Sequence, residues 1–548
     1  MVVVRCCVRS LLDRSCRFRL FTPRPAGEEY ALTDVVNRPA RPGGAGRHAK
    51  VEERPPFAWL TVAAVAVPAA VVLLLSARRY GYFGDELYFL AAGRRPAFGY
   101  ADQGPVLPLL ARLMDTIAPE SYFVLRLPAV ALTVTAIVLC ALLAREFDGG
   151  RWAQLLAALG YASSPFLLLQ GTMLTTNAVD TALWVIITWL VVRWVRTRND
   201  GLLLAAALFT AVDMQVKWLI PFFWIAVAIS SMLCGPRELV RRPLLWAGGV
   251  IVVVATVPEL LWQARHSWPQ LKMGGVIGAE QGILGGRLLF LPMSISLAGY
   301  LGALLLLWGL WVLLRWDVLR PYRFLGVTLL LLFAAFLITG GRIYYAAGMY
   351  AVMIAAGAVG VVGTAERIAP LWRRLLTAGV AVLALGATAF TLYSTPWRPA
   401  EEVHPPKDDA EAAINIGVYG SFGWHELTDE VTRAYDGLTP AERAHAVIIT
   451  DTYWQASALD EFGRTHLPPL FSPSRGFGYF GTPPDDASAV LAVGGYEAVL
   501  RSQFEHVDPV GKVDTRLGFK GNTQDVTLWK CSGRKKPWSQ VWPQWMHL

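Results

Sequence analysis

Apolar runs long enough to cross a lipid bilayer recur through most of this 548-residue chain. The runs at 57–77, 244–262 and 375–393 are examples, and each approaches the roughly 20 residues that a helix needs to span the hydrocarbon. Hydrophobic residues make up 54% of the chain and charged residues 17%, whereas soluble proteins usually carry about 25% charged residues. The predicted fold class is therefore an α-helical polytopic membrane protein with about eleven transmembrane helices.

The basic residues between these runs predict how the chain is oriented. The runs lie at 57–77, 121–144, 152–170, 177–195, 202–216, 218–234, 244–262, 288–314, 324–339, 345–363 and 375–393. Alternate loops carry arginine clusters, at 193–198, 237–242, 315–323 and 367–374, and the positive-inside rule assigns such loops to the cytoplasm. Because the number of runs is odd, the region after residue 394 is predicted to lie outside.

Three regions are predicted along the chain. Residues 1–56 are basic and then rich in Pro, Gly and Ala, which is typical of a disordered cytoplasmic tail and not of a signal peptide. Residues 57–393 form the transmembrane domain, with interfacial helices near 87–92 and 106–113 in the first external loop. Residues 394–548 are polar, with strand-like and helical runs, and predict a small extracytoplasmic soluble α/β domain.

Composition and motifs argue against several partners. The net charge of +9 does not indicate nucleic acid, because the arginines lie mostly between apolar runs and not on one soluble face. The six cysteines show no disulfide or metal-binding spacing. No Asp-x-Asp motif or His cluster offers the expected metal ligands, so we predict no required metal and no other cofactor.

Ionisable residues beside the membrane are the most informative feature. Charge at the hydrocarbon boundary is costly, so such residues are functional candidates. They are Asp85, Glu86, Asp102, Lys217, Glu259 and Arg342. The topology predicts all of them on the outer side, where carboxylates of the first loop and two cations from separate span ends can converge. Such a pocket would combine a carboxylate base with a cation clamp that stabilises a departing phosphate.

Five of these candidates also have a simpler interpretation. A helix cap would account for Asp85, and a turn would account for Asp102. The side chain of Lys217 could simply extend to the membrane interface and bind no ligand. Arg342 could be a misplaced topological charge, and Glu259 an interfacial pairing residue.

A series of segments, in order along the chain, carries a family resemblance. The segments are 85–86 (DE), 102–110 (DQGPVLPLL), 174–180 (LTTNAVD), 215–218 (QVKW), 257–266 (VPELLWQARH), 340–345 (GGRIYY), 423–427 and 454–463. Together they resemble the C-type glycosyltransferase superfamily, within it the bacterial protein O-mannosyltransferase and lipid A aminoarabinose transferase group. The chain departs from that pattern at Gly104, where a second proline is usual, at Asn177, where an acid is usual, and at Glu259, where Asn is more usual.

The resemblance implies an inverting glycosyltransferase that acts at the outer face of the plasma membrane. Its donor would be a hexose or pentose on a polyprenyl monophosphate, and its acceptor a hydroxyl of a protein, a lipid or a cell-wall glycan. The implied site residues are Asp85, Glu86 and Asp102 as catalytic groups, with Asp85 as general base, then Lys217, Arg342 and Tyr345 for the donor phosphate, and Glu259 and Tyr344 for the acceptor or pocket.

Two other classes of function stay open. A transporter or flippase for a lipid-linked sugar also needs many spans and membrane charge. Against it, the halves show no inverted repeat and no paired broken helices, and the charges cluster at one side. A structural scaffold would leave Asp85, Lys217 and Arg342 without a role. The identities of the sugar and of the acceptor are not readable from the sequence.

Overall fold

The computed structural model describes residues 54–283 and 286–548. The predicted N-terminal tail, residues 1–56, therefore lies almost entirely outside the described residues. From Pro56 to Leu548 the chain forms one compact unit.

Helices make up the described chain as far as residue 394. In chain order they are α1 (Trp59–Ser76), α2 (Gly84–Gly93), α3 (Val106–Ile117), α4 (Tyr122–Glu146), α5 (Arg151–Ala162), α6 (Pro165–Leu169), α7 (Thr176–Thr197), α8 (Gly201–Met214), α9 (Ile220–Cys234), α10 (Pro243–Arg265), α11 (Pro269–Ile283), α12 (Gly286–Ser296), α13 (Gly299–Arg315), α14 (Arg323–Thr339), α15 (Tyr350–Ala365) and α16 (Pro370–Ser394).

Length and composition identify the helices that can cross a membrane. Among the described residues, the regions of α1, α4, α7, α10, α14, α15 and α16 pass that test, which gives seven candidate spans, or up to nine if each bent pair is one span. The bent pairs are α5 with α6, at 72°, and α12 with α13, at 99°. Helices α8 and α9 are apolar but shorter. Each predicted apolar run is thus largely helical, and the predicted class, a polytopic membrane protein, is confirmed.

Two short helices lie between the first two spans, where interfacial helices were predicted. Helix α3 exposes Leu109, Leu113 and Ile117 along one face and buries Leu107 and Ala111 on the other. An exposed apolar stripe of this kind suits a helix that lies in the membrane interface. Helix α2 is different, because almost all of its residues are buried.

The C-terminal part contains a small sheet with helices around it. Its elements are α17 (Asp409–Ile414), α18 (Ile416–Tyr419), α19 (Trp424–Asp436), α20 (Pro440–Arg443), β1 (Ala446–Thr450), α21 (Tyr453–Phe462), β2 (Leu470–Phe471), β3 (Ala489–Val493), α22 (Glu497–Gln503), β4 (Phe504–Val513), β5 (Val526–Arg534) and α23 (Trp538–Trp545). The strand order is β2-β1-β3-β5-β4. Strands β1, β2 and β3 are parallel, and β5 is antiparallel to β3 and β4.

The membrane part and the sheet share a hydrophobic core. Tyr82, Leu87 and Leu107 from the first loop belong to the same buried cluster as Leu459 of α21 and Leu491 of β3.

Polar bonds reinforce this junction between α2 and the soluble domain. Trp424 Nε1 donates to the Tyr82 carbonyl at 3.0 Å, and Arg94 forms ion pairs with Asp460 and Glu461. The soluble domain is therefore seated directly on α2, which carries the first acidic pair.

Arginines of the loops predicted to be cytoplasmic form a network of their own. Arg196 Nε lies 2.8 Å from Glu146 Oε2. Arg198 and Arg242 both lie 3.3 Å from Glu238 Oε2. Two of these loops, at 193–198 and 237–242, thus contact each other through Glu238, as expected of loops on the same side of a membrane.

Candidate active site

Asp85 begins the site, at the second position of α2. Its Oδ1 atom accepts hydrogen bonds from Tyr453 Oη at 2.7 Å and from Trp454 Nε1 at 2.8 Å. Both donors belong to α21 of the soluble domain. Among the described residues, Oδ2 accepts no protein hydrogen bond, so one carboxylate oxygen is anchored while the other is left for a ligand.

The helix-cap interpretation of Asp85 does not fit these contacts. Helix α2 has Phe83 at its N-cap, and the side chain that bonds back to the Phe83 amide is that of Glu86, at 2.9 Å. The Asp85 side chain instead points across to α21. The approach there is so close that a Cβ atom at Gly84 would overlap the Trp454 ring.

Glu86 has a different environment from its neighbour. Its side chain is fully buried and forms an ion pair with Arg126 of α4, with Oε2 at 2.7 Å and Oε1 at 2.9 Å from guanidinium nitrogens. Oε1 also accepts from the Leu174 amide at 2.9 Å. Arg126 donates further to the carbonyls of Ala77, Arg79 and Gly81. These contacts support a structural role for Glu86 and not the catalytic one predicted from the sequence.

Asp102 lies close to Asp85 and is held by a separate partner. Its Oδ1 accepts from Tyr88 Oη at 2.9 Å, so the side chain crosses to α2 and does not close a local turn. Burial raises the pKa of the Asp102 carboxyl, and the nearby Arg475 guanidinium opposes that rise. The backbone of the soluble domain passes directly over this pair, because a Cβ atom at Gly476 would overlap Tyr88 Oη.

Lys217 follows α8 and points into a cluster of aromatic and polar groups. Its Nζ donates to Asn177 Oδ1 at 3.0 Å. The same atom lies 4.6 Å from the ring centroid of Tyr345 and 5.1 Å from that of Tyr344. Asp180 of α7 lies within electrostatic range. These partners hold the ammonium group inside the protein and argue against a side chain that merely reaches for the interface.

Arg342 shares this cluster and links it to Glu280 of α11. It lies within electrostatic range of Tyr344, Tyr345 and Lys217. Its guanidinium forms an ion pair with Glu280 Oε2.

Arg475 approaches the same carboxylate from the soluble domain. Its Nη2 lies 3.1 Å from Glu280 Oε1. The Arg475 guanidinium is 5.2 Å from the Tyr453 ring centroid and interacts electrostatically with Asp85 and Asp102.

A continuous series of contacts therefore joins most of the predicted residues. It runs through Lys217, Tyr344, Tyr345, Arg342, Glu280, Arg475, Tyr453, Asp85, Asp102 and Tyr88. Glu86 lies beside this series but bonds elsewhere. Glu259 is buried in α10 against Gly99 and Trp218, and in the described part of the chain it stands apart from the series.

Several residues of this cluster were missed in the sequence. Tyr453, Arg475 and Glu280 lie far from Asp85 along the chain. Tyr453 precedes the segment 454–463 that carries part of the resemblance, but that segment did not single it out. One signal was present, because Arg475 opens a stretch of glycine and aromatic residues at 476–481. As for metals, the described residues contain no group of three His, Cys, Asp or Glu side chains that could hold an ion, and the prediction that no metal is required stays a prediction.

Comparison with known proteins supports the resemblance noted in the sequence. Residues 102–262 match the family described as dolichyl-phosphate-mannose-protein mannosyltransferase. Among solved structures, the fold is similar to ArnT from Cupriavidus metallidurans in the apo state, with a TM-score of 0.56 and 15% identity, covering 87% of this chain and 98% of that one. ArnT from the same organism bound to undecaprenyl phosphate gives a TM-score of 0.54 at 14% identity, covering 86% and 97%. No curated protein matches. The predicted family resemblance is confirmed.

Proposed function

We propose, on the basis of the C-type glycosyltransferase fold of this polytopic membrane chain, that the protein transfers a hexose or pentose from a polyprenyl monophosphate to a hydroxyl acceptor. The observation that carries this proposal is the cluster itself. One anchored carboxylate with a free oxygen, two cations and two tyrosines occupy a single series of contacts. That is the set of groups that a displacement at a sugar phosphate needs.

Asp85 is the proposed general base. Tyr453 and Trp454 fix Oδ1, which leaves Oδ2 to accept the proton of the incoming hydroxyl. The oxygen of that hydroxyl attacks the anomeric carbon at the same time. The bond from that carbon to the phosphate oxygen breaks on the opposite face, and the configuration inverts. A carboxylate needs only hydrogen-bond reach to the hydroxyl for this role.

Lys217, Arg342 and Tyr345 are the proposed partners of the departing phosphate. The two cations lie near enough to interact, and together they offset the charge that develops on the leaving group. Tyr345 interacts with both of them and can donate its hydroxyl. Tyr344 also contacts the Lys217 ammonium group through its ring and is assigned to the same site. We assign Asp102 to orienting the acceptor, and Glu86 to holding α2 in place.

The same proposal extends to topology. The positive-inside rule puts the arginine-rich loops, two of which contact each other, in the cytoplasm. This would set the active site and residues 394–548 outside the plasma membrane. Residues 57–393 would then be the transferase domain, with the soluble domain seated on its outer end. The acceptor, whether a protein, a lipid or a cell-wall glycan, would enter between the two.

Loss of either proposed phosphate ligand should weaken binding of the lipid carrier. We expect Lys217→Ala and Arg342→Ala each to raise the dissociation constant for undecaprenyl phosphate by about 10- to 100-fold, because a hydrogen bond to a charged group contributes about 1.5–3 kcal/mol. Binding of the lipid to purified protein in detergent measures this. The exposed Lys407→Ala in the soluble domain is the control. Unchanged affinity in both variants would remove the phosphate assignment.

Removal of the Tyr453 hydroxyl should affect turnover more than donor binding. Tyr453→Phe keeps the ring under Arg475 but deletes one of the two bonds that anchor Asp85. We expect kcat to fall about tenfold with KM for the donor near that of the wild type, since a bond to a charged acceptor is worth about 1.5 kcal/mol or more. Tyr435→Phe, in α19, is the matched control. A changed KM with unchanged kcat would contradict the positioning role.

A further inference from the structure

Two arginines from different parts of the fold converge on one carboxylate. Arg342, in the loop after α14, and Arg475, from the soluble domain, bind the two oxygens of Glu280 separately. The three side chains are partly exposed, at 23%, 26% and 35% respectively. They are therefore accessible from outside and not sealed in a core.

This arrangement is chemically a site for an anion. Two guanidinium groups that face one another repel unless a negative charge lies between them, and Arg342 and Arg475 are close enough to interact. Guanidinium groups are well suited to phosphate, because their planar set of donors matches its oxygens. Glu280 supplies the negative charge here, as a phosphate would.

Arg475 is held in a conformation that needs support. Its φ of +46° is in the left-handed region, which non-glycine residues seldom adopt and which persists only where the surroundings enforce it. The Arg475 amide donates to the His547 carbonyl at 2.7 Å. The fold thus holds the Arg475 backbone in an unfavourable conformation while its side chain points at Glu280, Asp85 and Asp102.

The helix that carries Glu280 is packed lightly. Among the side chains described in α11, only those of Pro269 and Met273 are buried. Its glycines Gly274, Gly275 and Gly278 have open space where a side chain would be. A helix with so few buried contacts can shift at low cost, so Glu280 can leave the two arginines without disrupting a core.

We propose that Glu280 occupies the place of the donor phosphate in the ligand-free protein, and that the phosphate displaces it to bind between Arg342 and Arg475. The soluble domain then supplies a third cation of the donor site, in addition to Lys217 and Arg342. This inference rests on the proposed function. It assigns to Arg475 and Glu280 roles that the sequence did not indicate, and it makes donor binding compete with an internal ion pair.

Removal of the competing carboxylate should tighten lipid binding. We expect Glu280→Gln to lower the dissociation constant for undecaprenyl phosphate about two- to fivefold, the worth of a partly exposed ion pair. Arg475→Ala should raise it about tenfold, and in the Arg475→Ala background the gain from Glu280→Gln should shrink. The matched controls are Glu497→Gln and Arg433→Ala, which alter the pairs with Arg501 and Glu430 within helices.

The outcomes separate this inference from the proposed function. Misfolding cannot raise affinity, so the gain expected in Glu280→Gln tests the inference even where Arg475→Ala folds poorly. Unchanged or weaker binding in Glu280→Gln overturns the inference. If the wild-type protein transfers sugar and both variants bind undecaprenyl phosphate with wild-type affinity, the inference is overturned and the proposed function stands. A wild-type protein that binds no lipid phosphate overturns the proposed function as well. Inorganic phosphate is the second probe. If the variants change the affinity for inorganic phosphate but not for undecaprenyl phosphate, the site between the two arginines binds free phosphate and the donor role is overturned.

Discussion

Asp85→Asn should reduce sugar transfer by about 10²- to 10⁴-fold, the contribution typical of a general base. The amide keeps the shape of the carboxylate, and its oxygen can still accept from Tyr453 and Trp454. It cannot take a proton from the acceptor hydroxyl. The measurement is transfer from a labelled polyprenyl-phosphate sugar in membranes that contain the variant, together with the affinity for undecaprenyl phosphate, which should stay near that of the wild type.

The control for this variant is Asp429→Asn, an exposed aspartate of α19 in the soluble domain. Transfer at wild-type rate by Asp85→Asn would remove Asp85 from the mechanism. A rate that falls only because lipid binding is lost would show that the carboxylate acts on the donor. The two readouts together therefore distinguish a base from a binding residue.

Glu86→Ala should destabilise the protein by about 3–5 kcal/mol, because it leaves the charge of Arg126 buried without its partner. It also leaves the amides of Phe83 and Leu174 without their acceptor. We expect a large fall in the temperature of thermal unfolding in detergent. The comparison with Asp85→Asn is informative, since the adjacent residue should lose activity with little loss of stability.

A double-mutant cycle separates the ion pair from the other bonds of Glu86. Glu86→Ala with Arg126→Ala should recover part of the stability lost by either single change, because no unpaired charge then remains buried. Glu497→Ala, which breaks an exposed pair with Arg501, should cost under about 0.5 kcal/mol. A stable, inactive Glu86→Ala would contradict the structural assignment and restore a catalytic one.

The helices of the membrane domain were predictable because the hydrocarbon imposes a length and a composition that can be read locally. The same physics singled out Asp85, Lys217 and Arg342, since charge beside the bilayer is costly unless it is used. Those side chains do join one series of contacts in the structure. The small α/β domain could be predicted as well, from its change to polar composition and from the buried strand Ala446–Thr450.

The sequence could not assign different roles to Asp85 and Glu86, because the two residues are adjacent. Successive residues of a helix point about 100° apart, so one carboxylate faces α21 while the other faces Arg126. Only the packing of α2 against its neighbours decided which of them remained open to a ligand.

The sequence by itself determined a helical membrane protein with charged groups at one boundary. The length of an apolar run and the free-energy cost of charge beside the bilayer can each be read from a single segment. Tertiary structure decided the membership of the cluster. Tyr453, Arg475 and Glu280 reach it from distant segments, and their local sequences do not specify contact with Asp85, Lys217 or Arg342. Contacts between segments that lie hundreds of residues apart depend on how the soluble domain is seated on α2, and that arrangement exists only in the folded chain.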